Sequence, residues 1–112
     1  MEACISDDSL RSRVMKLEDL VDYQEGSVVS RAIIQGEKGT VTLFAFDEGQ
    51  FLSEHSAPFD VLVQILEGTM EIKIGGSPCE VSGGESLIMP ANIPHALKAL
   101  TRTKMNLVMI RS

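Results

Sequence analysis

The chain has 112 residues, of which 44% are hydrophobic and 23% charged, and its formal net charge is −6 at pH 7. That length holds one domain around one packed core. The acidic balance, with no Lys/Arg cluster, argues against nucleic acid and anionic lipid surfaces as partners, and no apolar run is long enough to span a bilayer.

In chain order, residues 1–12, "MEACISDDSLRS", read as a polar, mostly acidic tail ahead of a single domain over residues 13–112. No signal-peptide core follows Met1, so the expected location is cytoplasmic. Cys4 and Cys79 are expected to be free thiols rather than a disulfide. In "VMKLEDLVDYQ", Val14, Leu17, Leu20 and Val21 fall at helical spacing and predict a short helix or helical turn.

From Ser27 onward the grammar changes to short strands punctuated by glycine. The predicted strands are "SVVSRAIIQ", "TVTLFAF", "VLVQILE", "MEIKI", "CEVS", "SLIMP", "HALKAL" and "MNLVMI". The segments between them, "GEKG", "DEGQ", "EGT", "IGGSP", "SGGE" and "PANIP", carry turn chemistry. Short strands at near-even spacing with no intervening helix predict an antiparallel sandwich or barrel. Met70, Ile72 and Ile74 alternate with Thr69, Glu71 and Lys73, giving one dry and one wet face. "VTLFAF" and "MNLVMI" are apolar on both faces. Their second face needs a cover, either the N-terminal segment or another copy of the chain, and a homodimer is expected.

Two spacings then carry a resemblance. Gly49, five residues, His55, and later Gly68 form the first; Gly84, five residues, Pro90 and then His95 form the second. Over residues Val28 to Ile110 the chain resembles the cupins, all-β jelly-roll (double-stranded β-helix) barrels with the motifs G-x5-H-x-H-x3,4-E-x6-G and G-x5-P-x-G-x2-H-x3-N. The resemblance implies a cupin-type barrel with a short helical or irregular N-terminal segment. It also implies a site at the barrel mouth, where His55 and His95 converge. The departures are as informative. Ala57 stands at the second histidine position and Val61 at the glutamate, while Asn92 replaces a glycine and Ala99 an asparagine.

Two imidazoles alone make a poor metal site, since catalytic zinc and non-haem iron centres use three protein ligands. A third donor would have to come from Asp60, Gln64 or Glu54, Asp60 only if a bulge after Pro58 swings it inward. Strict alternation points Asp60 and Gln64 outward. The expected pocket combines His55 and His95 with walls of Phe44, Phe46, Val63, Met70, Leu97 and Met105.

Three functional readings stay open. The first is a small-molecule binding protein. The second is a metal-dependent enzyme of the isomerase or dioxygenase class, holding a divalent transition metal on His55 and His95. Its substrate would be a small organic acid, sugar derivative or phenolic compound. The third is a non-catalytic dimeric scaffold. "GGSPCEVSGGE" lacks the strand-to-helix setting of a phosphate loop, and no local motif marks a nucleophilic triad.

Overall fold

The structure, a computed structural model, describes residues 10–111. Among these residues nine strands follow one another: β1 (Val28–Gly36), β2 (Gly39–Phe46), β3 (Phe51–His55), β4 (Val61–Glu67), β5 (Thr69–Ile74), β6 (Ser77–Ser82), β7 (Ser86–Met89), β8 (His95–Ala99) and β9 (Thr103–Ile110). They form two antiparallel sheets, one ordered β1-β2-β9-β4-β7 and the other β3-β8-β5-β6. The helical turn expected near Leu17 is a four-residue 3₁₀ turn, Leu17–Leu20. Among the described residues no helix is long and apolar enough to cross a membrane.

Eight of these strands match the apolar runs in the sequence; β3 is the addition. Its residues are mostly exposed, so "FLSEH" shows no alternation of dry and wet positions to betray it.

The inner faces of both sheets make the core. Phe46, Val63, Ile65, Met70, Ile72, Leu97 and Met105 are sealed within it, and Phe44, Leu52, Leu107 and Met109 pack against it. Antiparallel register stacks these residues in rows along the barrel axis. One end row holds Met89, Val61 and Met109 in the first sheet, and His55, His95 and Ile74 in the second. Deeper rows follow two residues at a time.

The outer face of β2 is apolar too, as its sequence requires. Leu43 and Ala45 are fully buried there beneath Val21, with Leu17, Leu20 and Tyr23 around them. The N-terminal segment is thus the cover for this part of the sheet. A polar clasp holds it down: Tyr23 donates its hydroxyl to Glu67 Oε2 at 2.6 Å, and Arg102 and Lys104 lie over the Tyr23 ring. Arg102 is itself paired to Asp47 at 2.9 Å. Burial, with the Glu67 carboxylate, pushes the Tyr23 phenol above its ordinary range. Most of the 1–12 tail and Cys4 lie outside the described residues; Cys79 is a free, exposed thiol.

Turn chemistry follows the glycine pattern. Gly68, in the β4–β5 turn, has φ +88° and sits so close to the β8–β9 connection that an added Cβ would fall 2.1 Å from the Arg102 carbonyl oxygen. Asn92, where the cupin motif has glycine, has φ 66°. Asparagine is among the few residues that tolerate this left-handed conformation, so the turn survives the replacement.

Candidate functional site

The two histidines meet because β3 is irregular. Leu52 pairs with Leu97, but the next register pair is His55 with His95, so β3 advances three residues while β8 advances two. Without that extra residue Glu54 would stand opposite His95 and His55 would point to solvent. The bulge re-aims His55 into the barrel mouth, a common use of bulges beside functional sites.

The resulting pair is close. The two Nε2 atoms are 3.2 Å apart, and the rings stand edge to face with centroids at 4.4 Å. His55 Nδ1 lies 2.7 Å from the Ser53 carbonyl oxygen, within the bulge itself. A carbonyl only accepts, so His55 carries its proton on Nδ1 and presents a lone pair at Nε2 when neutral. His95 Nε2–H then donates into that lone pair. His95 is 2% exposed, and its Nδ1 is buried without a hydrogen-bond partner. Burial, and then the neighbouring His55, depress the His95 pKa below the ordinary histidine value; the Ile93 carbonyl beside it opposes part of this.

Around the pair lies a cavity of about 370 Å³, lined by Ser56, Ala57, Pro58, Phe59, Val61, Met89, Leu107, Met109 and Arg111 besides the histidines. Ala57 and Val61 therefore occupy the positions of the missing family ligands and present apolar groups there. Arg111 is held at the rim by donating from Nη1 to the carbonyl of Gly36 at 3.2 Å.

The expected third donors are elsewhere. Asp60 faces the outside, accepting the Ala91 N–H at 2.8 Å, and no bulge after Pro58 turns it inward. It fixes the loop between β7 and β8 instead, together with the Asn92 N–H to Ala57 carbonyl bond at 2.7 Å. Gln64 accepts from Asn106 Nδ2 at 2.9 Å on the outer face of the first sheet. Glu54 borders a groove on the outside of the second sheet.

The expected walls need correction as well. Phe46, Val63, Met70, Leu97 and Met105 are sealed in the core, Phe44 packs against them, and none lines the cavity. They sit in deeper rows than the mouth. Alternation could have found part of this lining, because Leu107 and Met109 continue the inward phase of β9 and Arg111 follows just past its end.

Whether these residues suit the metal that many cupins hold can be tested on the donors. The 3.2 Å between Nε2 atoms is near the roughly 3.3 Å that two imidazoles span on a tetrahedral zinc. The donor set ends there: no group of three or more His, Cys, Asp or Glu able to hold an ion occurs among the described residues. The site fits a weak two-point chelate and does not fit a closed three- or four-ligand centre, so no chemistry is routed through a metal here.

A two-sheet jelly-roll barrel with a histidine pair at its mouth defines a class of small β-barrel proteins with a site at one end. Within that class the chain belongs to the cupin domain family, whose model matches residues 42–111. It is 34% identical over 83 residues to a Geobacter sulfurreducens protein named pyrimidine/purine nucleoside phosphorylase, covering 72% of this chain and 78% of that one. Among solved structures, a conserved Streptococcus pyogenes protein of unknown function superposes with a TM-score of 0.87. It has 35% identity and covers 91% of this chain and 90% of its own. A cupin 2 conserved barrel domain protein from Leptotrichia buccalis gives 0.83 at 37% identity, over 87% of this chain but only 47% of that longer one.

Proposed function

We propose that this cupin binds a small organic ligand in the His55–His95 cavity. The polar group of the ligand rests on the two imidazoles and its apolar body on the Met89–Val61–Met109 row. The observation that carries this reading is the convergence of two ring nitrogens at the mouth of a mostly apolar cavity. Neutral His95 donates and neutral His55 accepts, so the pair can exchange its internal hydrogen bond for one to a hydroxyl, carbonyl or carboxylate. The test is a thermal-shift panel of nucleosides, organic acids, sugars and phenolic compounds on wild type, His55→Ala and His95→Ala. A compound that stabilises the wild type and neither variant is the expected result. Equal stabilisation of all three proteins would contradict the reading, and a panel with no binder would favour the scaffold reading.

A second reading rests on the kinship to the Geobacter protein and on Arg111. A guanidinium beside two imidazoles is a set of groups suited to an oxyanion. On this reading inorganic phosphate attacks the anomeric carbon of a nucleoside, the glycosidic C–N bond breaks, and the base leaves with the bonding electrons and takes up a proton. Uridine and inosine incubated with phosphate would release free base and sugar 1-phosphate, and Arg111→Gln would slow the release. Base release that is absent, or independent of phosphate, sinks this second reading and leaves the first intact.

A further inference from the structure

The backbone fixes one tautomer of the histidine pair. The Ser53 carbonyl, 2.7 Å from His55 Nδ1, only accepts, so the neutral ring keeps its proton there and offers a lone pair at Nε2. His95 Nε2, 3.2 Å away, supplies the N–H that this lone pair accepts. A ligand that displaces their bond therefore meets one acceptor and one donor side by side. Arg111 does not alter that pattern, since its Nη1 already serves the Gly36 and Glu37 carbonyls. No residue lining the cavity is an acid.

On the first reading, that the pair is the polar contact of a ligand, we infer that this ligand presents a cis amide edge on an aromatic body. Ring lactams, cyclic imides and primary aromatic carboxamides make up that chemical class. Standard bond lengths put the N and O of such an edge about 2.2 Å apart. The edge can therefore span ring nitrogens at 3.2 Å with two nearly parallel hydrogen bonds. Its N–H donates to His55 Nε2 and its C=O accepts from His95 Nε2. A carboxamide grips the neighbouring donor and acceptor of adenine in the same way.

Other head groups fit this pattern worse. An ester or carboxylate offers only lone pairs and sets one of them against the lone pair of His55. A donor without an acceptor leaves the His95 N–H unpaired on a ring that is 2% exposed. A hydroxyl does both jobs with one oxygen, but two bonds of about 2.8 Å at a tetrahedral angle need nitrogens about 4.6 Å apart. The wall decides the body. Met89 and Met109 flank Val61 across the mouth, and thioethers favour contact with aromatic rings. Phe59 adds a ring of its own to the lining. A sugar would lay its hydroxyls on side chains that pair with none of them.

The experiment is calorimetric titration of the full chain at pH 7.5 with matched probes. One pair is 2-quinolone and N-methyl-2-quinolone; the other set is benzamide with methyl benzoate, benzoate and phenol. 2-Quinolone and benzamide should each bind about tenfold or more tightly than their partners. His55 stands at the exposed end of β3, so His55→Ala should keep the fold, checked by circular dichroism. With that acceptor gone, each amide should fall to the affinity of its N-methyl or ester partner. Ring-nitrogen NMR of the free protein should show the His55 proton on Nδ1. Equal affinities within a set, tighter binding of benzoate or phenol, a His55 proton on Nε2, or no amide binding overturns the inference. If benzoate or phenol wins and both His55→Ala and His95→Ala abolish its binding, the first reading stands without the amide edge. A preference for amides that survives both substitutions overturns the inference and the first reading together.

Discussion

One extra residue in β3 decides which side chain meets His95. By strict alternation from Leu52 the partner would be Glu54; the bulge makes it His55. Nothing in "FLSEH" announces that bulge, and only the two-motif spacing marked both histidines as site residues. The lost ligands were equally plain, since Ala57 and Val61 bear no donor, whereas the outward turn of Asp60 became clear only with its bond to Ala91. The pair has a pH signature. His95 binds its proton more weakly when folded than when unfolded. The unfolded chain therefore takes up the proton first, and stability from this group is whole above pH about 6.5 and is lost as pH falls through the folded value below it. Melting temperatures measured from pH 7.5 down to 5.5 should decline, and His95→Gln should flatten that slope. Parallel slopes in the two proteins would show that His95 is not the group responsible. Added Zn²⁺ should bind weakly at neutral pH and be lost on the same acidification, because both nitrogens must be unprotonated. His55→Ala or His95→Ala should remove most of that binding, and Asp60→Asn should leave it unchanged. Loss of Zn²⁺ in Asp60→Asn would mean that the carboxylate reaches the site.

At the scale of elements, what was legible depended on burial contrast. Strands with a dry and a wet face announced themselves, and so did the unusual apolarity of both faces of β2 and β9. The edge strand β3 did not, because its mostly exposed residues carry no such contrast. The sequence also left open what covers the second face of β2, since a helical spacing in "VMKLEDLVDYQ" says nothing about where the segment docks. The turns separate two uses of glycine. Gly49 has φ +83° with open space where a Cβ would stand, whereas Gly68 combines φ +88° with backbone and side-chain atoms in the way of any Cβ. Gly49→Ala should therefore cost about 1 kcal/mol, the penalty of a left-handed non-glycine residue, and lower the melting temperature by a few degrees. Gly68→Ala adds a clash with the Arg102 carbonyl and should cost several-fold more, enough to unfold the chain or lower its melting temperature by roughly ten degrees or more. Equal costs for the two substitutions, read from thermal denaturation, would contradict the close approach of the β4–β5 turn to Arg102.

For the whole molecule, alternation reveals which face a residue takes and says nothing about how far along the barrel it lies. Phe44, Phe46, Val63, Met70, Leu97 and Met105 lie deeper along the barrel than the histidine cavity, which the Met89–Val61–Met109 row lines. Depth is set by register between strands distant in sequence, which a single chain read linearly does not contain. The same register lines up Ile34, Val41, Val108, Leu62 and Ile88 across the outer face of the first sheet. Phe59 borders both the outer cavity beside Ile88 and the histidine cavity, so the loop after β3 touches both. On the proposed reading, His55 and His95 act together as the polar contact of a ligand. It is tested most directly by recording ring-nitrogen NMR shifts of both histidines while titrating the best compound from the thermal-shift panel. Both Nε2 resonances should move together along one saturating curve, as their mutual hydrogen bond gives way to bonds with the ligand. Saturation of the protein with neither Nε2 signal moving, or with only one, would contradict it.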